Sequence, residues 1–286
     1  MKTILVTVAI CLLQLVSYGQ NTLRPSLYFQ NMNYYNPSAV DLGSTESGSV
    51  SVYGKHKFVD NQSDIWAKPT TFYLNHIGRI QSSNSFYSVS YLNDSYSFYN
   101  RSTLYLGYTY QTKWGRLGTL SFGSRIIGNV DAIQWDKLKI PHQETGKSLK
   151  ASPDLDVGIQ YQWKGLTAGI SAKNLLRIPT KIEGSILLQS NREVYVHTSY
   201  LFKLGRHFQV APFVLLYQEH NRVLDGGLYV SFLNRVSVSY LLRLEELRGI
   251  YSIDGNLSKR LRVGIAVDRS RLFTDNNVDV QVKYSF

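Results

Sequence analysis

From residue 49 to the last residue the chain alternates apolar and polar side chains with a period of two. In PDLDVGIQYQW, Leu155, Val157, Ile159, Tyr161 and Trp163 share one face, and Asp154, Asp156, Gly158, Gln160 and Gln162 share the other. In VDVQVKYSF, Val278, Val280, Val282, Tyr284 and Phe286 oppose Asp279, Gln281, Lys283 and Ser285. RLRVGIAVD sets Leu261, Val263, Ile265 and Val267 against Arg260, Arg262, Gly264, Ala266 and Asp268. Only extended chain puts every second side chain on one face, so each run predicts a strand with two unlike environments.

Fourteen such runs can be counted, at 49–58, 69–80, 84–93, 102–111, 117–128, 153–163, 165–175, 192–203, 206–216, 223–232, 235–243, 247–254, 259–268 and 278–286. They are longer than the roughly five or six residues typical of soluble sheets and match the tilted strands that cross a membrane. Their connections alternate. VDNQSDIWAK is long, QSS short, NDSYSFYN long and TKWGR short; 129–152 is very long, the turn at Lys164 tight, 177–191 long and the LG at 204–205 short. A soluble antiparallel sandwich shares the strand pattern but has no reason to lengthen every other loop. A barrel in an outer membrane does, because one rim carries short periplasmic turns and the other the external loops. The sequence therefore predicts an all-β fold: a transmembrane antiparallel barrel of about fourteen strands, with lipid against its apolar face and a polar lumen inside.

The first residues, MKTILVTVAICLLQLVSYGQN, place Lys2 before an apolar core that gives way to Ser17 and Gly19. A spanning helix needs about 20 apolar residues, and this run is shorter, so residues 1–19 read as an export signal; a buried core helix is the other reading. Residues 20–48 then form an N-terminal plug or periplasmic segment, and 49–286 the barrel. Ile10 stands where a lipoprotein anchor at Cys11 would require a small residue. Cys11 is the only cysteine, so the exported chain holds no disulfide, thiolate nucleophile or cysteine-ligated metal. The net charge of +11 is scattered along the chain instead of gathered in a block, and no nucleic-acid partner is expected.

Few residues suggest chemistry. His197 and Ser199 in VYVHTSY share a strand face, as a barrel phospholipase would require, but in this register both point into the lumen and no orienting group is assignable. Lumen-facing hydrogen bonding is the alternative for His197. Asp154 and Asp156 are spaced about 7 Å apart on a strand, wider than the roughly 5 Å of retaining glycosidases, and suit Ca²⁺ or a salt bridge better. The six histidines are dispersed, and the glycine pieces lack phosphate-loop spacing. No catalytic residue, metal site or cofactor is expected. Arg125, Lys173, Arg243, Arg262 and Lys283 fall on the lumen face, where they either attract an anionic ligand or pair with Asp154, Asp156 and Asp279.

Ahead of the first strand stands SLYFQNMNYYNPSAV, rich in Asn and Tyr. This segment resembles the start of the PorP/SprF family, outer-membrane proteins of the type IX secretion system of Bacteroidota. Ser26, Tyr28, Asn31, Asn36 and Pro37 match that family's opening motif, and Tyr34-Tyr35 fits a common variant. Leu27, Met32 and the SAVDLG end, with Gly43 displaced, depart from it. KPTTFYLN resembles the family's Pro-Thr at the head of strand two, and PDLDVGIQYQWKGLTAGISAKNLL its strand–turn–strand block, with Gly169 and Ser171 in a Gly-x-Ser. The final VQVKYSF ends on an aromatic residue, as many outer-membrane barrels do.

The resemblance implies an integral outer-membrane barrel, not an enzyme. It would bind and anchor the C-terminal sorting domain of a secreted adhesin at the cell surface, supporting protein secretion and gliding motility. Expected partners are that domain, periplasmic accessory proteins of the secretion system and outer-membrane lipid. The loops 129–152 and 177–191 are the candidate partner-binding rim. The alternatives are an outer-membrane channel or hydrophobic-solute transporter, and a barrel hydrolase. The Asn- and Tyr-rich segment suits a plug, since Asn satisfies irregular backbone and Tyr fills space while keeping a hydroxyl. A disordered leader is the other reading of it.

Overall fold

The computed structural model describes residues 24–40, 47–58, 70–81, 83–96, 98–137, 146–178, 180–182, 185–188, 190–218, 222–270 and 276–286. The expected export signal lies outside the described residues. The strands follow in chain order. β1 (Gly48–Phe58), β2 (Thr70–Arg79), β3 (Ser85–Tyr96) and β4 (Tyr99–Lys113) open the sheet. β5 (Thr119–Gln134), β6 (Lys147–Trp163) and β7 (Leu166–Lys173) come next. β8 (Thr180–Ile182) and β9 (Ser185–Leu188) form a separate small hairpin inside a loop. The wall resumes with β10 (Glu193–Tyr200), continued past Leu201 by β11 (Phe202–Leu204), and with β12 (Phe208–Gln218) and β13 (Arg222–Phe232). β14 (Val236–Arg243), β15 (Arg248–Asn256), β16 (Leu261–Ser270) and β17 (Asn276–Ser285) complete it.

Each wall strand pairs antiparallel with the next, and β1 pairs with β17 from Ser49↔Ser285 to Phe58↔Asn276. The sheet closes on itself as a fourteen-stranded barrel, counting β10 and β11 as one strand. Closure leaves no open edge around the cylinder, the condition for β-structure in lipid, although residues 147–156 of β6 rise past the end of β7. Alternation behaves as the sequence predicts. Along β17, Asp279, Gln281, Lys283 and Ser285 are buried, while Val280, Val282 and Tyr284 are exposed on the outer surface. No helix among the described residues is long and apolar enough to cross a membrane.

Connections from β2, β4, β6, β11, β13 and β15 share one rim with Phe286, and all are brief. The opposite rim carries the connections after β1, β5 and β7, which are long, but also short ones after β3, β12, β14 and β16. Three expected loops prove to be partly strand. NDSYSFYN is mostly the ends of β3 and β4, which pair as far as Tyr96↔Tyr99. Of 129–152, residues 129–134 belong to β5 and 147–152 to β6, leaving a loop of 135–146. The 177–191 loop carries the β8–β9 hairpin.

The physical reason is that polar residues in this extension find partners across the sheet, so loop-like composition does not end the strands. Asn93 Nδ2 donates to Asn100 Oδ1 at 3.1 Å, and Arg101 Nε to Asp131 Oδ1 at 2.7 Å. The wall is therefore uneven. β6 has 17 residues and pairs with β5 throughout, whereas β7 has 8 and meets β6 only from Trp163 to Val157.

Candidate functional site

A barrel much above eight strands encloses more space than its own inward side chains fill. Here residues 24–40 occupy it. The segment makes a 3₁₀ turn at Tyr28–Gln30 and a single α turn at Met32–Tyr35. Asn36, which precedes Pro37, is extended at φ −133° and ψ 113°, because a proline bars the helical conformation from the residue before it. That ends the turn and aims the Asn36 amide at the wall. Asn36 Oδ1 then folds back to accept from Ser38 N at 3.0 Å and Ser38 Oγ at 2.6 Å. Tyr34, Tyr35 and Asn36 are all at most 2% exposed.

The wall of β4 to β7 grips the second half of the segment by its backbone. Arg125 on β5 donates from Nη1 to Asn33 O at 2.8 Å and from Nη2 to Tyr34 O at 3.1 Å. Ser171 Oγ donates to Tyr35 O at 2.7 Å, and Thr109 Oγ1 to Pro37 O at 2.8 Å. The Asn36 amide donates to Ile159 O at 3.1 Å and lies 3.1 Å from His197 Nε2. Such close approach requires bare backbone. Gly123 and Gly158 are cross-strand partners, and a Cβ on them would stand 2.4 Å from Pro37 C and 2.0 Å from Asn36 Oδ1.

Charge is matched inside this wall. Arg125 and Asp156 face each other in register, wholly buried, with Nη2 2.6 Å from Oδ2. Asp156 Oδ1 also accepts from Asn174 N at 2.9 Å. Lys173 and Glu193 are likewise register partners, 3.9 Å apart, and Lys173 Nζ lies 3.9 Å from the centre of the Tyr34 ring.

The opposite wall holds the first half of the segment. Tyr28 stacks on Phe213 at 4.7 Å, and Phe29 meets Phe213 edge-on at 4.6 Å. Asn31 and Gln281 exchange amide hydrogen bonds at 2.8 and 3.3 Å. Ser26 N donates to Asp279 Oδ2 at 2.9 Å, and the Tyr53 hydroxyl donates to the same oxygen. Arg243 Nη2 donates to Arg24 O at 3.2 Å, while Arg24 Nη1 pairs with Glu246 Oε1 at 2.7 Å beyond the end of β14. Asp268 receives Arg243 at 3.5 Å, Arg248 at 2.7 Å and Lys55 at 3.7 Å. Since Tyr28 reaches β12 and the carbonyls of Asn33 and Tyr34 reach β5, the segment spans the lumen from wall to wall.

The residues singled out from the sequence thus stand in several relations to this segment. Asn31, Tyr34, Tyr35, Asn36 and Pro37 contact the wall directly, as does Ser26 through its backbone. Arg125, Lys173, His197 and Arg243 are the wall's side of those contacts. Asp154 Oδ1 instead accepts the backbone N–H of Leu155 at 2.8 Å and of Leu176 at 2.9 Å, tying down the loop after β7. Arg262 pairs with Asp254, Nε to Oδ1 at 2.8 Å, below the segment near the short-turn rim. Lys283 is buried on β17. Phe213, Thr109, Gly123 and Gly158 were not singled out; alternation gives their face but not what lies opposite.

His197 is buried, and its Nε2 faces the Asn36 amide. Accepting that N–H leaves this nitrogen unavailable as a base toward a hydroxyl nucleophile. Ser199, nearer the rim, lines an open vestibule of about 540 Å³ with Phe29, Gln162 and Tyr229. No group of three metal-ligating side chains occurs among the described residues.

A sequence model described as the type IX secretion system membrane protein PorP/SprF matches residues 17–284. The chain belongs to the PorP/SprF family. The family and fold are those of a secretion-system membrane barrel, and the chain is an integral outer-membrane protein. Two stretches that carry the family resemblance meet inside it: Gly169 lies beside Asn36 and His197, and Ser171 holds Tyr35 O. Among curated proteins none matches.

Solved structures of similar shape are outer-membrane barrels. The Acinetobacter baumannii outer membrane protein Omp33 aligns with a TM-score of 0.52 at 9% identity, over 84% of this chain and 99% of that one. The Ralstonia pickettii toluene transporter TbuX aligns at 0.54 and 9%, over 88% and 92%. The CymD monoaromatic hydrocarbon channel aligns at 0.54 and 10%, over 85% and 89%. At such identities the likeness is one of fold.

Proposed function

We propose that this PorP/SprF barrel binds the C-terminal sorting domain of a secreted adhesin and holds it at the cell surface, as a fixed anchor that supports secretion and, in gliding cells, motility. The export signal of residues 1–19 delivers the chain, and residues 24–40 act as a plug. The observation that carries this reading is the plug itself. It spans the lumen and is bound on both sides, which suits a static platform better than a conduit. The adhesin domain docks on the long-loop rim, at 135–146 and 177–191, beside the tall wall of β4 to β6. Removing either loop should release adhesin from cells into the medium while the barrel stays in the outer membrane. Full retention after both deletions would refute the docking site.

The transporter alternative draws only on the fold shared with hydrocarbon channels. Planar bilayers distinguish the two. A plugged anchor is silent without a partner, whereas a channel conducts steadily.

A further inference from the structure

The two rims differ in charge. The six short-turn connections hold six exposed cations, the strand ends beside them hold three more, and neither holds an acidic residue. Arg116 and Lys164 stand on turns of the first half of the chain, and Arg79 and Lys113 end β2 and β4. Arg206, Arg235, Lys259 and Arg260 stand on turns of the second, and Lys203 lies on β11. On the opposite rim, residues 59–69, 97–98, 135–146, 174–192, 219–221, 244–247 and 271–275 contain nine acids and seven bases, and the strand ends beside them add the exposed Lys147, Arg222 and Arg269. The excess positive charge of the chain is therefore concentrated at one end of the barrel, around its whole circumference. The stretch 41–46, which joins the plug to β1, contributes Asp41 and Glu46, too few to offset it.

The position of these cations across the wall narrows what they meet. Arg79, Lys113, Arg235 and Arg260 continue the inward-facing series of Ile77, Gln111, Ser237 and Arg262 on their strands. Arg79 lies over the buried ring of Phe86, 5.6 Å from its centre. The outward positions at the same level are apolar and exposed: Ile80, Trp163, Phe208, Phe232 and Phe286. Lipid thus meets a greasy belt, several of the cations stand inside it, and one of the nine, Lys164, lines the vestibule beneath Phe29. The vestibule sets polar side chains at Gln162, Thr167 and Ser199 within a mostly apolar lining that includes Phe29, Leu166 and Leu201, a mixture able to receive the side chains of a peptide.

We infer that the short-turn rim is a docking ring for an acidic polypeptide segment of a periplasmic protein, which enters the vestibule under the plug. The location rests on the reading of that rim as periplasmic; the charge complementarity does not. A ring of one sign with low-dielectric walls focuses its field on the mouth and attracts such a segment, with an effect that weakens as salt rises.

The test uses the full-length protein in phosphatidylcholine nanodiscs and a fluorescent deca-glutamate peptide, followed by anisotropy at low salt. The peptide should bind, and R206Q/R235Q/R260Q should weaken it tenfold or more, with retained heat-modifiable gel mobility showing an intact barrel. K139Q/R177Q/K181Q on the other rim should leave binding unchanged. No binding by the native protein, or equal losses in both triple variants, would overturn the inference. So would an absence of peptide binding together with loss of phosphatidylglycerol from mixed nanodiscs in R206Q/R235Q/R260Q, which would give the ring to lipid. Gly205→Cys checks location separately: labelling by an impermeant maleimide only after permeabilisation supports a periplasmic partner. Labelling on intact cells would place the ring outside and overturn the periplasmic assignment even where the peptide binds.

Discussion

The two halves of the lumen segment, residues 24–40, are held in different ways. From Asn33 to Pro37 the wall holds backbone as well as side chains: Arg125, Ser171 and Thr109 donate to four carbonyls, glycines on β5 and β6 let the chain lie against the strands, and Tyr34, Tyr35 and Asn36 meet Tyr73, Tyr195 and Ile159 O. From Arg24 to Asn31 most wall contacts go through the plug's own side chains, with rings on Phe213 and an amide on Gln281. A backbone grip fixes position while depending mainly on the wall's sequence. A side-chain grip depends on both partners. The first half is therefore expected to respond mainly to changes in its own side chains, and the second more strongly to changes in the barrel.

The largest effect should follow Arg125→Ala. It removes two plug contacts and strands Asp156 in the interior, which costs roughly 3–5 kcal/mol for a buried pair broken on one side. Equilibrium unfolding in detergent should show it, and R125M/D156L should recover much of the loss. Recovery of stability without recovery of plug protection from protease would separate the ion pair from the grip. Next, Gly158→Val should displace Asn36 while leaving the strand intact, at about 1–3 kcal/mol for overpacking. Labelling of a cysteine placed at Ser38 should accelerate, and a conductance should emerge in bilayers. Continued silence and protection would mean that the second half is not seated by the glycine surface.

The contrast between halves sharpens with Tyr28 and Phe213. A double-mutant cycle to Ala should return a coupling of about 0.5–1.5 kcal/mol, as stacked rings give. The same cycle between Asn33 and Arg125 should return almost none, because the arginine binds a carbonyl that alanine keeps. Equal couplings would erase the distinction. The smallest effect belongs to Arg24→Ala at the outer end, where its partly exposed pair with Glu246 contributes about 0.2–1 kcal/mol and fades with salt.

The strands were legible because period two has few other physical causes, and each of the fourteen runs overlaps one wall strand. Their ends were less so. Asn93, Ser95 and Asn100 have the composition of a turn, yet all lie in strands because each has a partner on the neighbouring strand. The same holds for Ser152, paired to Asn129 across β5 and β6. Local propensity loses to cross-strand hydrogen bonding, from both sides at Asn93, Ser95 and Asn100 and from one side at Ser152.

Inward residues were equally readable from alternation, and Arg125, Asp156, Lys173 and His197 do lie inside. Their partners were not. Neither the Arg125–Asp156 register nor the amide of Asn36 against His197 can be read from spacing, since 31 and 161 residues separate the members of these pairs.

Alternation and strand length were enough for the amino-acid order to dictate a closed membrane barrel, because only full pairing of backbone groups survives in lipid. What the order alone left open was the lumen: which wall meets which half of residues 24–40, and on which rim the cations gather. Those depend on register and closure, which bring residues distant in sequence to the same height on the cylinder. Height and facing are properties of the ring, and no single strand contains them.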